Sequence, residues 1–197
     1  MRRAAAYAPR VLAIVPVRSL DGAKSRLAPA LSEAERRALV PRMLASVLAA
    51  CDRARCVGAV LVVTPDAELA GGRDVLVDPG VGHAFALALA LRDERARAGA
   101  LVVMADCPLV TPASLDALVA AARPLALVAA ADGGTNALAL ADPGLFEPAF
   151  GLPESARVTI ARARAVGIEP SVLEDAGLAF DVDRPEDLER VRPLIAA

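Results

Sequence analysis

Three aspartates are the residues of this sequence whose type and spacing most clearly suggest chemistry. Asp106 directly follows an apolar stretch, and Asp181 and Asp183 are separated by a single residue. In an extended chain, side chains two positions apart point to the same side, so the last two carboxylates are expected to face the same way. Neighbouring carboxylates repel one another unless a cation joins them, and oxygen ligands alone suit Mg²⁺. The pattern therefore favours a magnesium site formed by Asp106, Asp181 and Asp183.

Each part of this site also has a purely structural interpretation. Asp183 and Glu186 have the spacing of a capping box at the start of a helix. Asp106 is of a residue type that often caps a turn. The residues alone leave metal binding and capping open at these positions.

A cationic loop near the start of the chain is the second candidate site. Residues 11–15 form an unbroken apolar run that predicts a buried strand, and Pro16, which has no N–H for a sheet, is expected to end it. The loop that follows contains a glycine and the cations Arg18, Lys24 and Arg26. In α/β proteins a loop of this kind, at the end of a strand, binds phosphate. The Gly-x-x-x-x-Gly-Lys-Ser/Thr pattern of a Walker loop is absent, and a surface loop that is basic by chance is the alternative.

The sequence contains no obvious general base. His83 is its one histidine, and its position fits the start of a helix better than a catalytic role. No Ser/His/Asp or Cys/His set is evident, which disfavours hydrolysis by a catalytic triad. Nucleotidyl transfer to a phosphate group needs no base, because a phosphate monoester loses its second proton at about pH 6. The protein must then offset the repulsion between two anions and stabilise the leaving pyrophosphate, for which Mg²⁺, lysine and arginine are suited.

Strands and helices are predicted to alternate along the chain. Apolar runs predict strands at residues 11–15, 60–63, 75–77, 101–105, 125–131, 137–140 and 168–173. Helices are predicted from the capping box at Ser32 and Glu35, over residues 84–97, from Thr111, from about Ser155 and at the end of the chain. Pro41 predicts a kink or a break in the first of these helices.

This order of elements indicates an α/β protein with three layers, α/β/α, around a mostly parallel sheet. We expect a single domain over residues 11–197, after a flexible tail at residues 1–10. Ligands of such sheets bind beyond the carboxyl ends of the strands, which is where the basic loop and Asp106 fall.

Composition argues against several classes of function. A net charge of -2 and an aromatic content of 3% disfavour binding to nucleic acid. No apolar run approaches the roughly 18 residues that a membrane span needs, and the first ten residues lack the apolar segment of a signal peptide. Cys51, Cys56 and Cys107 have no metal-ligand spacing, which predicts reduced thiols in a cytoplasmic protein.

Motifs along nearly the whole chain, over residues 11–188, are similar to those of one enzyme family. They are Lys24-Ser25-Arg26-Leu27, Ala105-Asp106-Cys107-Pro108-Leu109, Gly133-Gly134-Thr135-Asn136, Phe150-Gly151, Ser155-Ala156-Arg157 and Asp181-Val182-Asp183-Arg184-Pro185-Glu186-Asp187-Leu188. Together they resemble the 2-phospho-L-lactate/phosphoenolpyruvate guanylyltransferases of coenzyme F-420 biosynthesis.

This resemblance implies a nucleotide-diphospho-sugar transferase (GT-A-like) fold and a reaction that joins GTP to a phosphorylated three-carbon acid, with release of pyrophosphate. It also implies roles for residues. GTP would be held by Arg18, Lys24, Arg26, Gly80 and Gly82, and Mg²⁺ by Asp106, Asp181 and Asp183. The acid would be held by Thr135, Gly151 and Ser155, with Lys24 and Asp106 as the catalytic residues. We expect a monomer or a weak homodimer with no nucleic-acid or membrane partner.

The chain departs from the family pattern at a few positions. Arg18 stands where lysine is common, and residues 80–85 replace a more usual Gly-Leu-Asn segment. Gly151 and Ser155 lie one residue further apart than usual, and Val158 stands where a basic residue or histidine often follows. Two alternatives remain: another GT-A-like nucleotidyltransferase, of the molybdenum-cofactor or sugar-phosphate type, and a non-catalytic nucleotide-binding module. The first usually has a Gly-x-Ser-x-Arg-x-Gly loop, which is absent here.

Overall fold

The computed structural model describes residues 10–78, 80 and 82–193. Apart from Arg10, the tail predicted at residues 1–10 lies outside the described residues. Within these residues one sheet contains seven strands: β1 (Val11–Pro16), β2 (Val57–Thr64), β3 (Asp74–Val77), β4 (Ala100–Val103), β5 (Leu125–Ala129), β6 (Thr135–Leu140) and β7 (Ser171–Val172). Their order is β3-β2-β1-β4-β6-β5-β7. β6 runs antiparallel to both of its neighbours, and the other pairs are parallel, so the predicted mostly parallel sheet is confirmed.

Helices cover both faces of the sheet. They are α1 (Glu33–Arg53), α2 (His83–Ala90), α3 (Pro112–Ala121) and α4 (Ser155–Ala165), with short 3₁₀ helices at Ser25–Leu27, Ala67–Ala70, Glu94–Ala98 and Pro185–Val191. Alternate residues of β1 point to opposite faces: Ala13 and Val15 pack into a core with α1 and α3, whereas Leu12 and Ile14 pack into a core with α2 and α4. The predicted three layers are therefore present.

Local sequence signals account for several boundaries. β1 ends at Pro16, as expected from the missing N–H. Ser32 accepts a hydrogen bond from the Glu35 N–H, and the Glu35 carboxylate accepts one from the Ser32 N–H, which forms the predicted capping box of α1. The Thr111 hydroxyl caps α3 by accepting the N–H of Ser114 at 3.1 Å.

Other expectations were wrong in detail. α1 continues through Pro41 as one 21-residue helix, so of the kink or break predicted there, the break does not occur. The helix predicted over residues 84–97 ends at Ala90, because the Asp93 carboxylate accepts the Arg95 N–H and starts a separate 3₁₀ turn. The helix predicted at the end of the chain is a 3₁₀ helix in the described part.

The hairpin of β5 and β6 brings polar residues to the site. A tight turn closes it, in which the Ala130 N–H donates to the Gly134 carbonyl at 2.9 Å. Because β6 runs antiparallel to β4, with Ala137 paired to Val103, the first residues of β6 lie beside the carboxyl end of β4. Among the described residues, no helix is both long and apolar enough to cross a membrane.

Candidate active site

A cleft of about 830 Å³ lies at the carboxyl ends of β1 and β4. Its walls come from the loop after β1, the segment after β4, the β5–β6 turn, the residues before α4 and the segment that leads to the last 3₁₀ helix. Nine predicted site residues line it: Arg18, Lys24, Arg26, Asp106, Thr135, Gly151, Ser155, Asp181 and Asp183. Gly80 and Gly82, also predicted to bind the nucleotide, are not among the described residues that line this cleft.

The three aspartates predicted to bind metal lie together. Asp106, Asp181 and Asp183 each present a carboxylate oxygen, and these oxygens lie within 4.8 Å of one another. All three residues are partly buried. The two segments that carry them are joined directly, because the Val182 N–H donates to the Asp106 carbonyl at 3.1 Å.

Asp187 fixes the backbone of this segment. Its carboxylate accepts the N–H of Asp183 at 3.0 Å and the N–H of Arg184 at 2.7 Å. The capping interpretation of Asp183 with Glu186 is therefore wrong, since the capping carboxylate belongs to Asp187. The Asp183 side chain is left to point into the cleft.

Lys24 is the cation of the aspartate cluster. Its Nζ donates to Asp106 Oδ2 at 2.6 Å and to Asp183 Oδ1 at 2.8 Å, and only 12% of its side chain is exposed. Burial acts to lower the pKa of Lys24, but the two carboxylates outweigh it and leave this pKa above its ordinary value. Lys24 also has a left-handed backbone, with φ of 50°, which is uncommon for a residue other than glycine.

Arg26 contributes a second, more exposed cation. Its guanidinium donates to Asp183 Oδ2 at 2.9 Å, although 69% of the side chain is exposed. Burial acts to raise the pKa of Asp183, but Lys24 and Arg26 outweigh this effect and hold the pKa below its usual range. Asp183 is therefore ionised at neutral pH.

Asp181 has a different environment. Its Oδ1 accepts a hydrogen bond of 3.1 Å from the Asn136 amide. Burial raises the pKa of Asp181; the Asn136 hydrogen bond acts against this, and the charges of Asp106 and Asp183 add to it. The net pKa of Asp181 therefore lies above the ordinary value.

Thr135 and Ser155 form a separate polar pair in the same cleft. Their hydroxyl oxygens lie 2.9 Å apart, and both residues are buried. Ser155 is the first residue of α4, and the Ala156 N–H donates to the Gly133 carbonyl. No side chain caps this helix end, so the first-turn amide groups other than that of Ala156 can face an anion.

Sequence reasoning missed Asn136 and Asp187. Both lie inside motifs that carry the family resemblance, next to or near residues given a role, and each holds part of the aspartate cluster. Sequence spacing does not reveal such contacts, because Asn136 and Asp181 are 45 residues apart.

Structural comparison identifies the fold of this chain. A structure from Desulfovibrio desulfuricans, described as a nucleotide-diphospho-sugar transferase, is similar with a TM-score of 0.72 at 13% identity, and covers 95% of this chain and 97% of that chain. The predicted nucleotide-diphospho-sugar transferase (GT-A-like) fold is confirmed.

Sequence comparison then identifies the family. The model of the family described as "Guanylyl transferase CofC like" matches residues 11–192. The chain is 46% identical to a phosphoenolpyruvate guanylyltransferase of Sphaerobacter thermophilus over 191 residues, which cover 91% of each chain. It is 39% identical to a 3-phospho-D-glycerate guanylyltransferase of Phenylobacterium zucineum over 193 residues, covering 91% of this chain and 88% of the relative. The chain belongs to the CofC-like guanylyl transferase family, and the prediction of a nucleotidyltransferase is confirmed.

Proposed function

We propose that this enzyme transfers the guanylyl group of GTP to phosphoenolpyruvate, in a step of coenzyme F-420 biosynthesis that requires Mg²⁺ and releases pyrophosphate. One observation carries the proposal: Lys24 and the three aspartates share a cleft with the Thr135–Ser155 pair. A cationic and metal-binding half for the triphosphate thus faces a polar half for the acceptor.

The aspartate cluster fits a divalent cation. Three carboxylate oxygens within 4.8 Å form an oxygen-only donor set, which is the set that Mg²⁺ prefers. A cation already lies against two of them in the form of Lys24 Nζ. Bound by Asp106, Asp181 and Asp183, Mg²⁺ would neutralise charge on the phosphates and on the leaving pyrophosphate.

The basic loop is suited to bind the triphosphate of GTP. Lys24 lies beside the aspartates, and Arg18 and Arg26 line the same cleft. Lysine acts on phosphate as a compact point charge, whereas arginine offers two parallel donors. These cations would reduce the repulsion between the two anionic substrates and stabilise the negative charge that develops on pyrophosphate.

The polar pair beside α4 is suited to the acid. The Thr135 and Ser155 hydroxyls, the uncapped start of α4 and the backbone at Gly151 line the cleft together. Hydroxyl groups and helix N-termini bind carboxylate and phosphate oxygens. The acid would lie there with its phosphate toward Asp106.

The reaction needs no side-chain base. A phosphate oxygen of the acid attacks the α-phosphorus of GTP, the bond to the bridging oxygen breaks, and pyrophosphate leaves with that oxygen. The attacking oxygen already carries its charge above about pH 6. Cys107, next to Asp106, is not a candidate nucleophile, because burial raises the pKa of its thiol well above the usual value.

The relatives favour phosphoenolpyruvate among the three-carbon acids. The 46% identical relative is named for phosphoenolpyruvate, and the 39% identical relative for 3-phospho-D-glycerate. 2-Phospho-L-lactate is the third acid to test, since the family resemblance includes it. These acids share a phosphate and a carboxylate, and they differ at the carbon that carries the phosphate.

A product assay tests the proposal. The protein is incubated with Mg²⁺, each of the four nucleoside triphosphates and each of the three acids, and pyrophosphate and product mass are followed. We expect a product of GTP and phosphoenolpyruvate, with slower turnover of the other acids, and loss of that product in Thr135→Val. A cytidylyl or sugar-phosphate product, or nucleotide binding with no pyrophosphate release, would contradict the proposal.

A further inference from the structure

Asn136 is a buried polar residue to which the proposed reaction gives no role. Only 5% of the residue is exposed, and its Nδ2 donates to Asp181 Oδ1 at 3.1 Å. A carboxylate only accepts hydrogen bonds, which fixes the orientation of the Asn136 amide. A buried amide held in this manner restricts the rotation of the carboxylate it faces.

The orientation of the Asp181 side chain depends on a neutral amide, whereas Asp106 and Asp183 are bonded to a lysine. Asp106 and Asp183 are each held by Lys24 Nζ. The hydrogen bond described for the Asp181 side chain comes from Asn136. Loss of the amide would therefore remove the hydrogen bond that orients the Asp181 carboxylate.

Asn136 also contacts the segment that leads to Asp106. Its carbonyl accepts the N–H of Met104 at 2.9 Å, and Met104 lies two residues before Asp106. The Asp106 carbonyl in turn accepts the N–H of Val182, next to Asp181. The side chain and backbone of Asn136 thus touch both segments that supply the aspartates.

The neighbouring residue of β6 serves the other half of the cleft. Thr135 directs its hydroxyl to Ser155, whereas Asn136 directs its amide to Asp181. Successive residues of a strand point to opposite faces, which separates the two contacts. Two equally buried neighbours, 6% and 5% exposed, therefore serve different groups.

We propose that Asn136 is a positioning residue that holds the Asp181 carboxylate in place as a metal ligand. The inference rests on the metal site of the proposed function and needs neither GTP nor the acid. Groups that orient a metal ligand through a hydrogen bond typically contribute a factor of about 10 to 100 in metal affinity.

Binding of Mn²⁺ to the protein alone tests this inference. Free Mn²⁺ is measured by electron paramagnetic resonance in titrations of the wild type, Asn136→Ala and the matched control Thr135→Val. We expect Asn136→Ala to bind Mn²⁺ about tenfold more weakly or worse, and Thr135→Val to bind it within about twofold of the wild type. Equal affinity of Asn136→Ala and wild type, an equal loss in Thr135→Val, or no binding to the wild type would overturn the proposal.

A second variant and a second readout guard against a folding defect. Asn136→Ser is smaller than asparagine but keeps a polar group, and it should show the same loss of Mn²⁺ affinity with a melting temperature close to that of wild type. If turnover is measurable, the Mg²⁺ concentration for half-maximal rate should rise in both Asn136 variants while the KM for the acid stays constant. A rise in the acid KM alone would contradict the positioning role. Because Mn²⁺ binding involves no guanylyl transfer, a wrong assignment of substrates leaves this test intact.

Discussion

Lys24 Nζ lies 2.6 Å from Asp106 Oδ2, so the lysine of the basic loop is bonded to an aspartate of the proposed metal site. The same ammonium also bonds Asp183. Lys24 is therefore the buried cation of the cluster, and the more exposed Arg26 adds a second positive charge at Asp183. An anionic triphosphate and a divalent cation, when they bind, offer Lys24 and the aspartates new partners of opposite charge. We therefore expect nucleotide binding and metal binding to be linked.

Removal of the Lys24 charge should impair nucleotide binding and transfer. We expect Lys24→Ala to lower kcat by about 10² or more, which is typical when one group that stabilises a developing anion is deleted, and to weaken GTP binding. Lys24→Arg should be partly active, since its charge remains but its shape is wider and forked. Steady-state kinetics and direct GTP titration give both values. If GTP affinity were unchanged in Lys24→Ala, the loop would be a basic surface that does not bind the triphosphate.

The same lysine should stabilise the substrate-free protein. Lys24→Ala leaves the partly buried Asp106 and Asp183 without their shared cation, and loss of one partner of a buried ion pair costs about 3 kcal/mol or more. Arg26→Ala is the matched control: it also removes one cation from Asp183, but this arginine is 69% exposed and such pairs contribute about 1 kcal/mol or less. We expect a lower melting temperature for Lys24→Ala than for Arg26→Ala without metal, and a larger gain from added Mg²⁺. If Lys24→Ala and Arg26→Ala had the same melting temperature, both without and with Mg²⁺, the stabilising role of Lys24 would be contradicted.

The metal assignment predicts a sharp loss on neutralising one aspartate. Asp106→Asn keeps the shape of the side chain and removes its charge. We expect it to lose several kcal/mol of transition-state stabilisation, which lowers turnover sharply, while the fold is retained. Circular dichroism checks the fold, and pyrophosphate release gives the rate. EDTA should abolish turnover of the wild type, and excess Mg²⁺ should restore it. Full activity of either Asp106→Asn or the EDTA-treated enzyme would exclude the metal site.

A transfer that needs no side-chain base predicts a particular pH dependence. With saturating GTP, the rate should rise as the phosphate of the acid loses its second proton at about pH 6, or at lower pH if cations favour the dianion. His83→Ala should show the same rising limb and nearly the same rate, because the titrating group belongs to the substrate. A loss of two or more orders of magnitude in His83→Ala, with fold and GTP affinity intact, would identify His83 as a catalyst.

Sequence patterns anticipated the framework of the site because local chemistry determines it. Pro16 ends β1 for want of an N–H, and Ser32 with Glu35 caps α1. The early end of the second helix was missed, since Asp93 caps a new turn inside an alanine- and leucine-rich stretch that otherwise favours a helix.

The contacts inside the site were less predictable. Asp106, Asp181 and Asp183 were expected to meet, and their oxygens lie within 4.8 Å. Nothing in the sequence indicates that Lys24 bonds these aspartates, because the position of a long, flexible side chain depends on residues 82 and 159 positions away. The Asn136 contact was missed for the same reason, since only the folded sheet brings β6 beside Asp181.

The central claim is that the phosphate of the acid attacks the α-phosphorus of GTP in this cleft, and an isotope experiment tests it most directly. The enzyme is incubated with GTP, Mg²⁺ and phosphoenolpyruvate whose phosphate oxygens are ¹⁸O, and both products are analysed by mass spectrometry. The account predicts that all of the label remains in the diphosphate-linked guanosine product and that the released pyrophosphate carries none. Label in pyrophosphate, or the absence of a guanosine product that contains the acid, would contradict it.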